Sequence, residues 1–389
     1  MEASVFRLAL YYGIAGFGGG YSVLAQLRRD LVEKRRLLSE ADFLVLAELS
    51  KSLPGTPATN LLALLGQRVG GVRGGLLAAG AFLLPSTVLM IAAGSAYSIV
   101  RAGTGASLFL DGMNAAMVGV VGAVTVDLGR TALRSRKDVL LATLGAVLLA
   151  ARVVTEPVLA VAAVAAGAIR GSVRSPAAPK DTDVGGHSAG PGTERLHALS
   201  LLLALSLVLT GSVGALAALV RVFVPIGVMT FGGGLAMIPA IDHMVVVDQR
   251  WLDPKTFADA IALGQITPGP VAICATFVGY RVAGVSGALV ATIAMFAPAT
   301  ALALTAGHYA ARFRTSPVAE GILRMLAPAV IGMLAAATFS LGRAALTGPG
   351  GAVLAVASFL VLVRRPMSPL WVLVGSGLLS VFAHSAFVR

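Results

Sequence analysis

The chain has 389 residues, 57% of them hydrophobic and 12% charged, with a mean hydropathy of +0.87. A soluble domain carries roughly 25% charged residues, so the composition excludes a soluble enzyme, a secreted disulfide scaffold and a disordered chain. It indicates a polytopic α-helical membrane protein sitting in a lipid bilayer. The net charge of +12 fits Lys and Arg flanking apolar segments, so no nucleic-acid partner is expected.

In chain order, an apolar segment at 4–16 runs into Phe17-Gly18-Gly19-Gly20, and an amphipathic stretch follows. Two short apolar pieces, 41–53 and 58–70, flank Pro54-Gly55. Two long segments, 75–100 and 105–129, precede two shorter ones at 138–151 and 157–169. The stretch 171–195, with Ser172, Pro176, Pro179, Asp181 and Pro191, reads as a polar linker. An apolar stretch at 196–213 has no counterpart earlier in the chain. The series then restarts with 218–230, Phe231-Gly232-Gly233-Gly234, short pieces 255–266 and 271–283 around Pro268-Gly269, long segments 288–311 and 318–342, and closing segments 350–363 and 369–387.

The restart is a duplication. Phe17 and its glycines recur 214 residues later, as do Phe43 at Phe257 and Pro54-Gly55 at Pro268-Gly269. After one deletion the offset is 213: Gly66-x-Arg68-Val69 matches Gly279-x-Arg281-Val282, and Pro85-x-Thr87 matches Pro298-x-Thr300. The expected organisation is a repeat at 1–170, a linker at 171–195, an unmatched segment at 196–213 and a second repeat at 214–389. The basic residues shift between copies. Arg28, Arg29, Lys34, Arg35 and Arg36 follow the first glycine tract, whereas Asp242, Asp248 and a lone Arg250 occupy the matching stretch. By the positive-inside rule the copies face opposite sides, which predicts an all-α fold of two homologous, inverted-topology helical repeats with broken helices. Whether the glycine segment and the Pro-Gly pair span or re-enter is open from sequence.

In hydrocarbon every backbone N–H and C=O needs a partner. Consecutive glycines weaken a helix, and Pro54 with Pro57, or Pro268 with Pro270, interrupts its hydrogen-bond ladder. Such breaks in corresponding positions of both halves mark a transporter's binding site. Helices restarting there present N–H groups and a positive dipole end. Thr56, Thr59 and Asn60 in one half, and Thr267 and Thr276 in the other, add neutral donors, while Lys51 and Gln265 stand at equivalent positions just before the breaks. The candidate substrate-binding set is therefore Gly18, Gly19, Gly20, Lys51, Pro54, Gly55, Thr56, Thr59, Asn60, Gly232, Gly233, Gly234, Gln265, Thr267, Pro268, Gly269, Pro270 and Thr276. Many donors and little fixed positive charge suit an oxyanion. Glycines in membrane helices also serve as close-packing positions, and neither reading identifies a ligand.

Among ionisable residues within apolar segments, Glu48 and Lys51 are three apart and can pair. Asp111 and Arg324 stand at equivalent positions and are expected to meet across a two-fold axis. Arg68 and Arg281 are membrane-edge anchors or anion-steering groups, Asp127 reads as an interfacial acid, and Cys274 as a small core residue. No Gly-x-x-x-x-Gly-Lys-Ser/Thr, His-Glu-x-x-His or Cys-x-x-Cys occurs, so neither an enzyme nor a cofactor or metal site is expected.

Taken in order and duplicated, Phe17-Gly18-Gly19-Gly20, Leu53-Pro54-Gly55-Thr56, Phe231-Gly232-Gly233-Gly234 and Gly264-Gln265-Ile266-Thr267-Pro268-Gly269-Pro270 resemble the chromate ion transporter family in its long, two-domain form. The resemblance implies a multi-pass plasma-membrane carrier with homologous halves of opposite topology, exporting chromate and driven by the proton-motive force. The family's Gly-Gly and Pro-Gly-Pro motifs carry over onto Gly18, Gly19, Gly232, Gly233, Pro268, Gly269 and Pro270. The first half departs from them: Thr56 stands where the second has Pro270. Sulfate shares chromate's shape and charge and is the alternative substrate; an anion channel is the alternative class, and a homodimer is compatible with the reading.

Overall fold

The computed structural model describes residues 2–17, 19–34, 36, 38–151, 153–173, 214–229, 234–235, 237–308, 317–346, 348–365 and 367–387. Most of the predicted linker and all of the apolar stretch 196–213 fall outside the described residues, as do Gly18, Gly232 and Gly233. No strand occurs among the described residues.

The first half runs α1 (Glu2–Ala15), α2 (Gly19–Arg28) extended by a π turn at Arg29–Lys34, α3 (Glu40–Ser52), α4 (Pro57–Ala102), α5 (Thr104–Ala132), α6 (Arg136–Ala150) and α7 (Glu156–Val173). The second runs α8 (Ala215–Met229), α9 (Ile238–Asp242) with a π turn at His243–Asp248, α10 (Pro254–Ile266), a 3-10 turn (Val271–Ile273) leading into α11 (Cys274–His308), α12 (Pro317–Ala345), α13 (Pro349–Arg364) and α14 (Pro369–Phe387). Even the backbone exceptions recur. Arg36 (φ 49°) returns as Arg250 (φ 52°), Gly55 (φ 102°) as Gly269 (φ 117°), and Gly71 (φ 61°) as Gly284 (φ 61°). The duplicated sequence thus folds twice into the same unit.

A straight helix of α4's 46 residues would measure about 69 Å at 1.5 Å per residue, over twice the ~30 Å hydrocarbon core. The chain instead reverses at Gly70 and Gly71, where Gly71's φ of 61° and ψ of −157° lie in a region essentially confined to glycine. After the reversal a β-carbon on Gly66 would strike the Gly74 carbonyl, and Gly279 meets Gly287 in the same way in α11. The short arm of α4 also doubles back on α3. Arg68, near the arm's end, lies 3.5 Å from Asp42 at the start of α3, with Pro54-Gly55 at the tip. At the glycine break, the Tyr12 hydroxyl of α1 donates to the Gln26 carbonyl of α2 at 3.3 Å, and both helices pack on α4. The Pro-Gly elements α3–α4 and α10–α11 are hairpins that return on themselves.

The two halves interlock. Gly75, early in the long arm of α4, faces Leu304 near the end of α11; between α5 and α12, Gly122 faces Thr338 and Gly342 faces Val118. Equivalent helices therefore run antiparallel, so the axis relating the halves lies across them and the repeats are inverted. The closing pairs are exchanged: α6 and α7 pack on α12, and α13 and α14 pack on α5. Small residues permit this closeness. A β-carbon on Gly119 would collide with the Ala355 carbonyl, and one on Gly332 would lie 2.7 Å from that of Ala142. Antiparallel crossing also corrects one expectation. Asp111 and Arg324 sit at opposite ends of the α5–α12 pair, and Asp111 pairs instead with Arg101 at 2.7 Å and Lys255 at 3.3 Å.

Five described helical stretches are long and apolar enough to cross a membrane: Pro57–Ala102, Thr104–Ala132, Val271–His308, Arg324–Ala345 and Pro369–Ala386. Their outward faces carry exposed Leu76, Leu77, Val88, Ile293 and Phe382, which lipid covers at no desolvation cost. The interior is built of Phe82, Phe223, Phe257, Phe277, Met90 and Met113, all fully buried.

Candidate functional site

Each Pro-Gly hairpin tip closes on the long arm of the opposite repeat, the first on α11 and the second on α4. The Gly55 turn closes on Ala299 of α11, where an added β-carbon would lie 2.7 Å from the alanine methyl. The Gly269 turn closes on Ser86 of α4, with the corresponding distance to Oγ 3.0 Å. Ser86 and Ala299 are equivalent positions, each one residue past the helix prolines Pro85 and Pro298. The Gly269 amide donates to the Gly16 carbonyl at the end of α1, 3.0 Å away. Gly234 lies against the start of the 3-10 turn, its added β-carbon 2.9 Å from the Ala272 nitrogen. Three breaks read separately along the chain, at Gly16, Gly234 and Gly269, thus come together.

Local sequence builds each tip. Leu53 ends α3 in extended backbone, Gly55 takes the left-handed turn, and Pro57, whose missing N–H costs nothing at a helix start, reopens the helix at its first position. No side-chain cap closes the start of α4 or of the 3-10 turn, and helix geometry gives first-turn N–H groups no intrahelical partner. Both starts are donor-rich and carry the positive end of the helix dipole.

The side chains at the first tip are engaged with one another. The Thr56 and Thr59 hydroxyls are 2.7 Å apart, and Asn60 Nδ2 donates to the Pro54 carbonyl at 2.8 Å and the Ser50 carbonyl at 3.3 Å. Asn60, 1% exposed, leaves Oδ1 without a partner. At the second tip the Thr267 hydroxyl donates to the Leu263 carbonyl at 2.7 Å, and Gln265, 5% exposed, leaves Oε1 without a partner. Pro54, Gly55, Thr56, Thr59 and Asn60 therefore share one tip, and Gln265, Thr267, Pro268, Gly269 and Pro270 share the other. Gly19 and Gly20 open α2. Two further candidates have other engagements. Lys51 pairs with Glu48 at 3.1 Å on α3, as their spacing predicts, and the Thr276 hydroxyl bonds Thr292 at 2.7 Å, tying the two arms of α11 together.

One buried group escaped the sequence reading. Asp259, in the middle of α10, is 0% exposed and lies 2.6 Å from the Tyr97 hydroxyl, 2.5 Å from Asn114 Nδ2 and 3.4 Å from Arg101 Nε. Its position in the first repeat is held by Val45, so the search for matched pairs passes over it. The signal available was a lone carboxylate inside the apolar segment 255–266. Tyr97 is itself held edge-on to Phe277, with ring centroids 5.2 Å apart, and beneath the Arg281 guanidinium, 5.6 Å from the ring centre.

A family model described as chromate transporter matches residues 3–169 and 217–381. The chain is 30% identical over 382 residues to the chromate transport protein of Cupriavidus metallidurans, covering 97% of this chain and 93% of that protein. It is 32% identical over 349 residues to the probable chromate transport protein of Synechococcus elongatus, covering 88% and 86%. It is also 31% identical over 167 residues to the uncharacterized transporter YwrB of Bacillus subtilis, covering 41% of this chain and 81% of that one. No solved structure matches the chain.

Proposed function

Because the chain belongs to the chromate transporter family, we propose that this multi-pass membrane protein is a secondary carrier moving chromate outward across the plasma membrane by alternating access. The observation that carries the reading is the seating of each Pro-Gly tip on the long arm of the opposite repeat, Gly55 against Ala299 and Gly269 against Ser86. A ligand between them touches both halves at once. First-turn N–H groups and the one hydroxyl proton left over by the Thr56–Thr59 pair offer neutral donors to a tetrahedral dianion, and neutral donors release it more readily than paired cations would. Inverted halves supply the cycle, since each can adopt the other's conformation and open the site to the opposite side. The functional units in this reading are 1–170 and 214–389, joined by 171–195 and 196–213.

Sulfate is the chemical competitor, having the same shape and charge. The deciding experiment is uptake into inverted membrane vesicles with chromate and sulfate in competition. Saturable chromate uptake is expected. Robust sulfate flux without chromate flux would overturn the substrate, and flux that never saturates would replace the carrier by a channel.

A further inference from the structure

Asp259 has properties that packing alone does not require. It is a carboxylate with no exposed surface in the first arm of the second Pro-Gly hairpin, three turns of chain before the Gly269 tip, and the equivalent position of the first repeat has no counterpart. Val45 stands at its equivalent position and Ala327 at that of Asn114. A role in the duplicated scaffold would call for matching groups in both copies.

Its neighbours come from two other helices. From α4, Tyr97 donates its hydroxyl to Oδ2 and Arg101 approaches the same oxygen; from α5, Asn114 donates Nδ2 to Oδ1. Beyond this ring, Asp111 of α5 bridges Arg101 and Lys255, at 2.7 Å and 3.3 Å. On α10 itself Asp253 caps the helix through Thr256. Of the charged groups on the other helices packed there, Arg281 of α11, which lies over the Tyr97 ring, Arg324 and Arg343 of α12 and His384 of α14 are exposed.

Two details distinguish this cluster from a fixed ion pair. Asn114 is 5% exposed, yet its Oδ1 has no hydrogen-bond partner. The Tyr97 hydroxyl also has a second acceptor within reach, Thr256 Oγ1 at 3.3 Å. Both neighbours therefore hold an alternative setting. With the carboxylate ionised, Asn114 presents its amide N–H and Tyr97 its O–H. With the carboxyl protonated, a flipped Asn114 presents the idle Oδ1 to the new O–H, and Tyr97 turns its proton to Thr256. Neutralisation strands no cation, because Arg101 keeps Asp111 and the Ser107 carbonyl at 2.9 Å. A source for the proton lies one side chain away. A cavity of about 870 Å³ between α5, α10, α13 and α14 is lined by Asp111, Asn114 and Lys255, and only Asn114 among these touches Asp259.

Resting on the carrier reading above, we infer that Asp259 is a protonation-switched latch on the second hairpin, loaded by water from this cavity when the Asn114 side chain that stands between them turns aside, with Tyr97, Asn114 and Arg101 as its positioning residues. Ionised, it pins α10 to α4 and α5 and so fixes the Gly269 tip against Ser86 and Gly16. Protonated, it gives up the Arg101 ion pair, and the hairpin is free to shift as the site changes sides. A proton is taken from cavity water on loading and returned to water on release, the carboxylate being restored each cycle.

The test uses purified full-length protein in proteoliposomes and compares two modes: exchange of labelled chromate at equal concentrations on both sides, and net chromate uptake driven by a pH gradient. For Asp259→Asn, exchange is expected to persist while gradient-driven accumulation falls at least tenfold. Accumulation at the wild-type level in Asp259→Asn overturns the latch and leaves the carrier reading intact. Wild-type protein that performs neither mode overturns the carrier reading itself. Should Asp259→Asn fail to fold, Asn114→Ala leaves the carboxyl in place and removes its alternative partner. It is expected to shift the midpoint of the pH–rate profile by about one unit, and an unmoved midpoint overturns the assignment.

Discussion

The Gly269 amide nitrogen donates a 3.0 Å hydrogen bond to the Gly16 carbonyl oxygen. That bond joins the Pro-Gly tip of the second repeat to the end of α1 in the first. The left-handed turn at Gly269 shapes this tip and brings it against Ser86 of α4.

Gly269→Ala and Gly55→Ala should both fail, for two additive reasons. Each puts a side chain at a φ above 100° and drives a β-carbon to 3.0 Å from Ser86 Oγ or 2.7 Å from the Ala299 methyl. A cost of about 1–3 kcal/mol is expected from the backbone alone, with loss of most chromate flux. Thermal unfolding in detergent and vesicle uptake measure the two effects. Wild-type flux in both variants would place the substrate path elsewhere.

The reversal glycines separate strain from contact. An added β-carbon meets nothing within 4 Å at Gly284 or at Gly80, but Gly284 has a φ of 61° while Gly80 is an ordinary helical residue. Gly284→Ala is expected to destabilise by about 1–3 kcal/mol, and Gly80→Ala to be neutral or stabilising by up to ~1 kcal/mol. Equal melting temperatures would refute the reversal.

Antiparallel packing of α5 and α12 can be read by cross-linking in a Cys274→Ala background. Gly122→Cys with Thr338→Cys should oxidise readily, since a β-carbon on Gly122 lies 3.5 Å from the Thr338 methyl. Asp111→Cys with Arg324→Cys should not. The reverse result would mean that equivalent helices run parallel.

At the break, Thr59→Val removes the hydroxyl that lies 2.7 Å from that of Thr56. Losing one hydrogen bond to a charged ligand, worth about 1.5 kcal/mol, should raise KM for chromate by roughly tenfold with a smaller change in kcat. An unchanged KM would remove Thr59 from the binding set.

Acid stability has a local contribution at the start of α6. The Ser135 hydroxyl, and after it the backbone N–H groups of Arg134 and Ser135, hold the Asp138 carboxyl below its usual range. A carboxylate depressed in the folded state adds stability that is complete above its unfolded pKa of ~3.9 and is lost as pH falls through the lower folded value. Asp138→Asn should therefore reduce stability at neutral pH and flatten its fall below about pH 4. A parallel loss at every pH would assign the effect to geometry instead of charge.

The resemblance between copies made much of the fold legible in the sequence. Matching Phe17-Gly18-Gly19-Gly20 to Phe231-Gly232-Gly233-Gly234 and Pro54-Gly55 to Pro268-Gly269 located the breaks, because proline and glycine act on their own backbone and need no partner to be understood. The same matching overlooked Asp259, whose significance lies in being unmatched. It also misplaced Asp111, because equivalence along the chain says nothing about which ends of two helices come together.

The sequence by itself determined the class, the duplication and the positions where helices stop, since these follow from local chemistry: apolar content, repeated glycine and proline, and the distribution of Lys and Arg. Only the tertiary structure decided that the Pro-Gly elements are hairpins, that the closing pairs α6–α7 and α13–α14 are exchanged between halves, and that Tyr97, Asn114 and Arg101 gather around Asp259. Those outcomes depend on antiparallel helices meeting at small residues such as Gly119 and Gly332, contacts that join residues far apart in the chain and leave no local periodicity to read.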